Sequence, residues 1–199
     1  MSDRIFLASA SEIRARMLRS VGVAFEIMPA RIDEETIKRA LEAEDAPPRD
    51  IADTLAEMKA RKVSEKGAAG LVLGCDQVLA FKGAVLSKPV SVEDAASQLR
   101  QLRGETHSLL SAAVVYEDGK PVWRHVGVAR LTMRDFSDAY LEDYLQRNWD
   151  SVKSSVGGYK IEEEGLRLFR SIQGDTFTIQ GLPLLELLSY LTLRGTLPK

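Results

Sequence analysis

One charged side chain lies inside an otherwise apolar segment, and it is the strongest candidate for chemistry in the sequence. Asp76 interrupts the run from Leu71 to Leu79, which has the composition of a buried strand. Burying a carboxylate is costly unless it is paired with a cation or bound to a metal. Asp76 could therefore act as a general base or a metal ligand facing a cleft. The alternative is a structural aspartate that accepts hydrogen bonds from backbone amides or from a lysine.

A serine-containing turn near the start of the chain could bind an anion. Ser9 and Ser11 follow a short apolar strand and precede a helical pattern, so Ser11 is a good helix N-cap. Hydroxyls and free backbone N–H groups at a helix N-terminus attract phosphate. Arg14 falls in the first helical turn, where the helix dipole disfavours a cation unless an anion binds nearby. The alternative is an ordinary cap with Arg14 in solvent.

Three other charged residues carry weaker signals. Glu34 could supply a second carboxylate, although acidic residues are common in the first turn of any helix. Lys59 lies among other basic residues of a predicted helix, and Lys88 follows a short apolar segment. Either lysine could simply be solvated. The sequence contains no P-loop, Rossmann glycine fingerprint or nucleophile elbow.

Alternating strands and helices must position these residues. The predicted strands cover residues 5–8, 25–28, 71–79, 106–116 and 121–133. The predicted helices begin after Ser11 and then cover residues 33–44, 50–65, 91–102, 137–146 and 182–194. Residues 117–120 are typical of a hairpin turn, and Gly157-Gly158 is typical of a tight turn. This order predicts an α/β fold with a mixed sheet.

The composition limits the class of protein. The chain has 199 residues, of which 45% are hydrophobic, and a net charge of −2. These values indicate one globular domain and argue against disorder or nucleic-acid binding through bulk positive charge. Because Cys75 is the only cysteine and there are two histidines, any metal must be a hard cation held by carboxylates and substrate oxygens. We interpret Cys75 as core filling, and the lack of a signal-peptide or membrane-spanning pattern predicts a cytoplasmic protein.

Short motifs spread along the chain together resemble the Maf family. They are, in order, Leu7-Ala8-Ser9-Ala10-Ser11 with Arg14, Asp33-Glu34, Leu55-Ala56 with Lys59-Ala60, Gly74 with Asp76-Gln77-Val78, Ser87-Lys88-Pro89, Leu102-Arg103-Gly104 with Thr106-His107, Gly157-Gly158-Tyr159 and Gly181-Leu182-Pro183. Each motif is weak alone, but the ordered set is specific and extends over residues 7–183.

The resemblance implies an enzyme that hydrolyses nucleoside triphosphates to the monophosphate and pyrophosphate with a divalent cation, Mg²⁺ or Mn²⁺. The implied fold is a single Maf-like domain over residues 1–199, with an elongated mixed sheet, flanking helices and two lobes around a cleft. The resemblance assigns Asp76 as proton acceptor and Glu34 as second acidic residue, both able to hold the metal. It assigns phosphate binding to Ser9, Ser11, Arg14, Lys59 and Lys88. It also implies a homodimer. The charge balance argues against a nucleic-acid partner, and the short apolar stretches argue against a membrane.

Three motif positions bear on the nucleotide base. Ile13 stands where the common first motif has arginine, Gln77 where the dTTP/UTP branch has threonine, and Glu162 where that branch has glutamine. All three resemble the branch of 7-methyl-GTP pyrophosphatases, although Glu163 or Glu164 could align in place of Glu162. A carboxylate can accept both N1–H and N2–H₂ of guanine and suits a positively charged methylated ring, whereas uracil offers one N–H between two carbonyls.

Other functions are compatible with the same residues. A broad-specificity, dTTP/UTP or ITP pyrophosphatase would use the same phosphate-binding residues, and a panel of substrates would separate these activities. A non-catalytic nucleotide-binding regulator of septum formation would bind without turnover, although Asp76 together with the phosphate-binding cations disfavours it. A nucleic-acid binder is disfavoured by the charge balance.

Overall fold

The computed structural model describes residues 4–198, which form a mixed α/β fold as the sequence predicts. The strands are β1 (Ile5–Leu7), β2 (Glu26–Ile27), β3 (Leu71–Phe81), β4 (Ala84–Leu86), β5 (Thr106–Glu117), β6 (Lys120–Met133) and β7 (Phe169–Gln173). The α-helices are α1 (Glu12–Ser20), α2 (Glu34–Ala43), α3 (Pro48–Ser64), α4 (Val92–Leu102), α5 (Asp138–Val152), α6 (Thr176–Ile179) and α7 (Leu184–Arg194). Two short 3₁₀ helices cover Val156–Gly158 and Glu164–Leu168.

The strands form one sheet in the order β2-β1-β3-β5-β6-β7, with β4 paired to β3. Strand β1 lies parallel to both β2 and β3, whereas β4 pairs with β3, and β7 with β6, in antiparallel fashion. The sheet is therefore mixed. Within residues 4–198, every helix is too short or too polar to span a bilayer.

Several short elements were not predicted from the sequence. Strand β4 has three residues and follows a turn in which Lys82 and Gly83 both have positive φ. Strand β7 lacks a clear alternation of buried and exposed positions, so its pattern gives little strand signal.

Helix α5 continues beyond the predicted end at residue 146, because Asn148 donates hydrogen bonds to the Tyr144 carbonyl and to Glu164. Tertiary contacts thus outweigh the low helix propensity of asparagine.

The chain divides into two compact units. Unit 1 comprises Met1–Gln77, Leu110–Gly127 and Thr176–Lys199, and unit 2 comprises Val78–Leu109 and Val128–Asp175. The core of unit 1 is built from apolar residues of β1, α1, β3, β5 and α7. Its buried members include Ile5, Leu7, Ala15, Leu18, Leu71, Leu73, Cys75, Ala113, Val115, Leu182, Leu184 and Leu187. Cys75 is therefore core filling, as the sequence predicts.

A buried aromatic cluster stabilises unit 2. His107 Nε2 lies 2.6 Å from the Tyr159 hydroxyl, and the His107 ring packs against Phe169 at 5.9 Å between centroids. The Tyr144 hydroxyl donates to the carbonyl of Gly158 at 3.1 Å. These contacts fix the turn that contains Gly157-Gly158 and leads into the three consecutive glutamates.

Burial of His107 makes the stability of the protein depend on pH. Burial lowers the pKa of His107 to about 4, whereas an unfolded histidine titrates near 6.5. Between these values the unfolded chain binds a proton that the folded chain does not, so stability falls as the pH falls. We expect His107 to account for a loss of roughly 3 kcal/mol between about pH 6.5 and 4.

Urea denaturation over this pH range would measure the effect. His107→Gln removes the titrating group and keeps a side chain able to hydrogen-bond Tyr159, so its unfolding free energy should depend less on pH than that of the wild type. Identical pH slopes for the two proteins would contradict the assignment.

Candidate active site

A buried ion pair joins Asp76 of β3 to Lys59 of α3. Lys59 Nζ lies 2.6 Å from Asp76 Oδ1, and the two side chains are 7% and 9% exposed, respectively. The same Nζ lies 2.9 Å from Glu34 Oε1, at the start of α2. One ammonium group thus contacts two carboxylates. The structure brings together three residues that were predicted separately from the sequence.

Gly74 allows this pairing because it lets α3 pack directly on β3. A Cβ at position 74 would collide with the carbonyl oxygen of Ala56 and would lie 2.7 Å from the Ala60 nitrogen. Ala56 and Ala60 are themselves fully buried, so the contact is between small residues on both sides. The two motifs around Gly74 and Lys59 are therefore parts of one helix–strand contact.

Neighbouring positive charges and burial shift the pKa of Asp76 in opposite directions. Burial raises the pKa of the Asp76 carboxyl, whereas the positive charges of Lys59 and Arg14 lower it. Burial prevails, so the pKa of Asp76 lies above that of an ordinary aspartate. A carboxylate with a raised pKa is a stronger base than a solvated one. Burial also raises the pKa of the neighbouring Cys75 thiol to about 11, so Cys75 is not a nucleophile at neutral pH.

The serine turn holds a buried arginine. Ser11 caps α1 by accepting a hydrogen bond from the Arg14 amide, and Ser9 Oγ accepts one from the Ser11 amide at 3.2 Å. Arg14 Nη1 donates to Ser9 Oγ and to the Cys75 carbonyl, both at 3.1 Å. Arg14 Nε donates to the Gly181 carbonyl at 2.8 Å. Arg14 is therefore buried among backbone carbonyls and is not a solvated side chain.

Gly181 gives the motif Gly181-Leu182-Pro183 a structural role. It has φ +100°, a conformation that favours glycine, and a Cβ at this position would lie 3.1 Å from Arg14 Nη2. The absence of a side chain thus makes room for the guanidinium. The sequence contained this motif but gave no indication that it contacts Arg14.

Gln77 faces away from Asp76 because neighbouring residues of a strand point to opposite faces. Its Nε2 atom lies 2.9 Å from Ser111 Oγ, 2.9 Å from the Ile179 carbonyl and 3.2 Å from the Thr178 carbonyl. Ser111 was missed in the sequence, although a hydroxyl within the apolar run of β5 is the same kind of signal that marked Asp76. Ile13 is half-buried and packs against the core of unit 1.

Lys88 and Glu162 belong to unit 2, and both are exposed. The two glutamates that follow Glu162 have hydrogen-bond or ion-pair partners in unit 2. Glu163 accepts a hydrogen bond from Ser151 at 2.6 Å, and Glu164 pairs with Arg147 at 2.8 Å. Glu162 and Glu163 are both exposed, and Glu164 is half-buried.

The donor set of Asp76 and Glu34 suits a hard divalent cation. Both carboxylates lie within 3 Å of the same lysine nitrogen, and carboxylate oxygens are preferred ligands of Mg²⁺ and Mn²⁺. Among residues 4–198, no group of three or more His, Cys, Asp or Glu residues is arranged to hold a metal. The protein can thus supply part of a coordination shell, with phosphate oxygens and water as the other ligands.

Comparison with known proteins identifies the family. The family described as Maf-like protein matches residues 4–193. The chain belongs to the Maf family. A nucleoside triphosphate pyrophosphatase from Roseobacter denitrificans is 65% identical to this chain over 199 residues. The alignment covers 100% of both chains. A protein of the same name from Ruegeria pomeroyi is 59% identical, with 99% of each chain covered.

A relative of this Maf protein carries a more specific name. The 7-methyl-GTP pyrophosphatase of Brucella abortus is 44% identical over 191 residues, with 96% of each chain covered. Family membership confirms the resemblance identified from the ordered motifs.

Replacing Gly74 with alanine should destabilise the protein, because the added methyl group collides with the backbone of α3. We expect Gly74→Ala to lower the free energy of unfolding by about 3 kcal/mol or more, at the upper end for overpacked cores. Chemical denaturation would measure the loss. Gly22→Ala is the matched control, since a Cβ there meets nothing within 4 Å and only its φ of +74° is unfavourable. If Gly74→Ala lowers the free energy of unfolding no more than Gly22→Ala does, the close packing of α3 on β3 at Gly74 is contradicted.

Proposed function

We propose that this Maf protein is a nucleoside triphosphate pyrophosphatase that hydrolyses its substrate to the monophosphate and pyrophosphate. The observation that carries the proposal is the buried Asp76 carboxylate held by Lys59 beside Glu34. The names of the relatives from Roseobacter and Ruegeria support the activity over the full length of the chain. A protein that only bound nucleotide would not require a buried base.

Asp76 is proposed as the general base. Its carboxylate accepts a proton from water while the water oxygen forms a bond to the α-phosphorus. The bond from the α-phosphorus to the bridging oxygen breaks, and pyrophosphate leaves with the electron pair. The charge of Lys59 at 2.6 Å favours the ionised form of Asp76, whereas burial raises the basicity of the carboxylate.

The cations and hydroxyls of the serine turn are proposed to bind the phosphates. Ser9 and Ser11 lie at the N-terminus of α1, where backbone N–H groups favour an anion. Arg14 uses Nε and Nη1 to bond the protein, and we propose that Nη2 meets a phosphate oxygen. Lys59, together with Lys88 as the family resemblance implies, would offset the charge of the leaving pyrophosphate.

A divalent cation, Mg²⁺ or Mn²⁺, is proposed as cofactor. Asp76 and Glu34 would hold it, and when bound it would offset negative charge on the phosphate oxygens. A single Maf-like domain over residues 1–199 and a homodimer are further proposals that rest on the family resemblance. A cytoplasmic location is proposed as well.

The nucleotide is proposed to be 7-methyl-GTP or a related modified purine nucleotide. Glu162 is the proposed base-reading residue, because Glu163 and Glu164 are bonded to Ser151 and Arg147. A carboxylate matches the two donor groups of guanine and the positive charge of a 7-methylated ring. The name of the Brucella relative supports this choice, and Ile13 is proposed as a further specificity residue.

Replacing Asp76 with asparagine tests the proposed base. Asp76→Asn keeps the shape of the side chain but removes the proton acceptor, so pyrophosphate release should fall about 100-fold or more with every nucleotide tested. Glu35→Gln is the control, because Glu35 pairs with Arg39 on the surface. Turnover of folded Asp76→Asn at a rate near that of the wild type would rule out Asp76 as the base.

Replacing Glu162 with glutamine tests base recognition. Loss of a carboxylate that accepts hydrogen bonds from guanine should cost about 1–3 kcal/mol in selectivity. The ratio of kcat/KM for 7-methyl-GTP to that for UTP should therefore fall roughly 5- to 150-fold. Glu163→Gln serves as control and should change this ratio little, since Glu163 bonds Ser151. If Glu162→Gln changes kcat/KM by the same factor for all nucleotides, Glu162 does not recognise the base.

A further inference from the structure

The segment of residues 176–182, which contains α6 and Gly181, is held by a converging set of hydrogen bonds within unit 1. The Thr178 carbonyl accepts from Ser111 Oγ at 2.6 Å, from Gln77 Nε2 at 3.2 Å and from the Gly181 amide at 3.1 Å. The Ile179 carbonyl accepts from Gln77 Nε2 at 2.9 Å. Three donors on one carbonyl oxygen are unusual, since a carbonyl has two lone pairs.

Packing limits the movement of the 176–182 segment as well. Thr178 is buried against Gly127, where a Cβ would lie 2.7 Å from Thr178 Oγ1. Leu182, at the other end of the segment, lies in the core of unit 1. The segment therefore has one well-defined position relative to β3.

The orientation of the Gln77 amide follows from its partners. Backbone carbonyls can only accept hydrogen bonds, so the NH₂ group of Gln77 must face Thr178 and Ile179. Its two N–H groups are then shared among three acceptors, of which Ser111 Oγ is the third. No donor is left for a nucleotide base, and only Oε1 is available to a ligand.

Gln77 and Arg14 connect the same two elements. Gln77 extends from β3 to the carbonyls of residues 178 and 179, and Arg14 bonds the carbonyls of Cys75 in β3 and Gly181 in the segment. Gln77 thus fixes the spacing of the two carbonyls that orient the guanidinium. A shift of the 176–182 segment would move the acceptor of Arg14 Nε directly.

We propose that Gln77 and Ser111 are positioning residues that hold the 176–182 segment and thereby orient Arg14 toward phosphate. This inference rests on one part of the proposed function, the binding of phosphate by Arg14, and does not require hydrolysis. It assigns Gln77 a different role from the base reading predicted from the sequence. A positioning residue should affect every triphosphate alike, whereas a base-reading residue should change the preference among bases.

Tripolyphosphate separates the two roles because it carries the phosphates but no base. Its binding with Mg²⁺, measured by calorimetry, should weaken about tenfold in Ser111→Ala and Gln77→Leu. Gln77→Glu should weaken it further, because a carboxylate would face two carbonyl oxygens. Ser111 is fully buried, so its effect cannot come from contact with a nucleotide. Gln98→Leu, which removes a buried glutamine of α4 in unit 2, is the matched control and should bind as the wild type does.

Pyrophosphate release from GTP, 7-methyl-GTP and UTP completes the test. The inference requires kcat/KM to fall with all three nucleotides while their ratios stay within about twofold of the wild-type values. Unchanged tripolyphosphate binding with altered ratios would show that Gln77 reads the base and would overturn the inference. A lowered melting temperature with unchanged binding and turnover would overturn it too, as would a wild-type protein that does not bind tripolyphosphate. Binding without pyrophosphate release in the wild type would refute the proposed function and leave the inference standing.

Discussion

Helix α3 and strand β3, which carry the ion pair between Lys59 and Asp76, lie closer together than side chains at their contact would normally allow. Gly74, Ala56 and Ala60 provide that approach by leaving almost no side-chain volume between the two backbones. The pair in turn constrains the packing, since removing one partner of a buried ion pair leaves an uncompensated charge that typically costs 3–5 kcal/mol. Glu34 extends the arrangement to α2, because its carboxylate contacts the same ammonium group.

The same contacts determine the electrostatics of the proposed base. Burial raises the pKa of the Asp76 carboxyl, and the positive charge of Lys59 at 2.6 Å opposes that rise. Arg14 is held by backbone carbonyls from β3 and from the 176–182 segment and by the hydroxyl of Ser9. In phosphoryl transfer, preorganised charge is usually the largest contribution that a protein makes to catalysis.

Sequence analysis predicted the residues that can be recognised from the strand or helix in which they lie. Asp76 stood out because a charge in an apolar strand must be compensated, and Ser11 because a cap precedes a helical pattern. The partner of Asp76 could not be read from periodicity, since Lys59 is 17 residues away and the contact depends on packing at Gly74. The bond between Arg14 and Gly181 spans 167 residues and has no local signal at all. Strands β4 and β7 were missed because they are short edge elements stabilised by pairing rather than by a pattern of their own.

Hydrolysis in water enriched in oxygen-18 tests the central claim most directly. If Asp76 directs water to the α-phosphorus, the wild-type protein with Mg²⁺ should convert a nucleoside triphosphate to monophosphate and pyrophosphate, with the label found by mass spectrometry in the monophosphate. Label in the pyrophosphate would mean attack at the β-phosphorus, and release of labelled orthophosphate would mean attack at the γ-phosphorus. Either result would contradict the account.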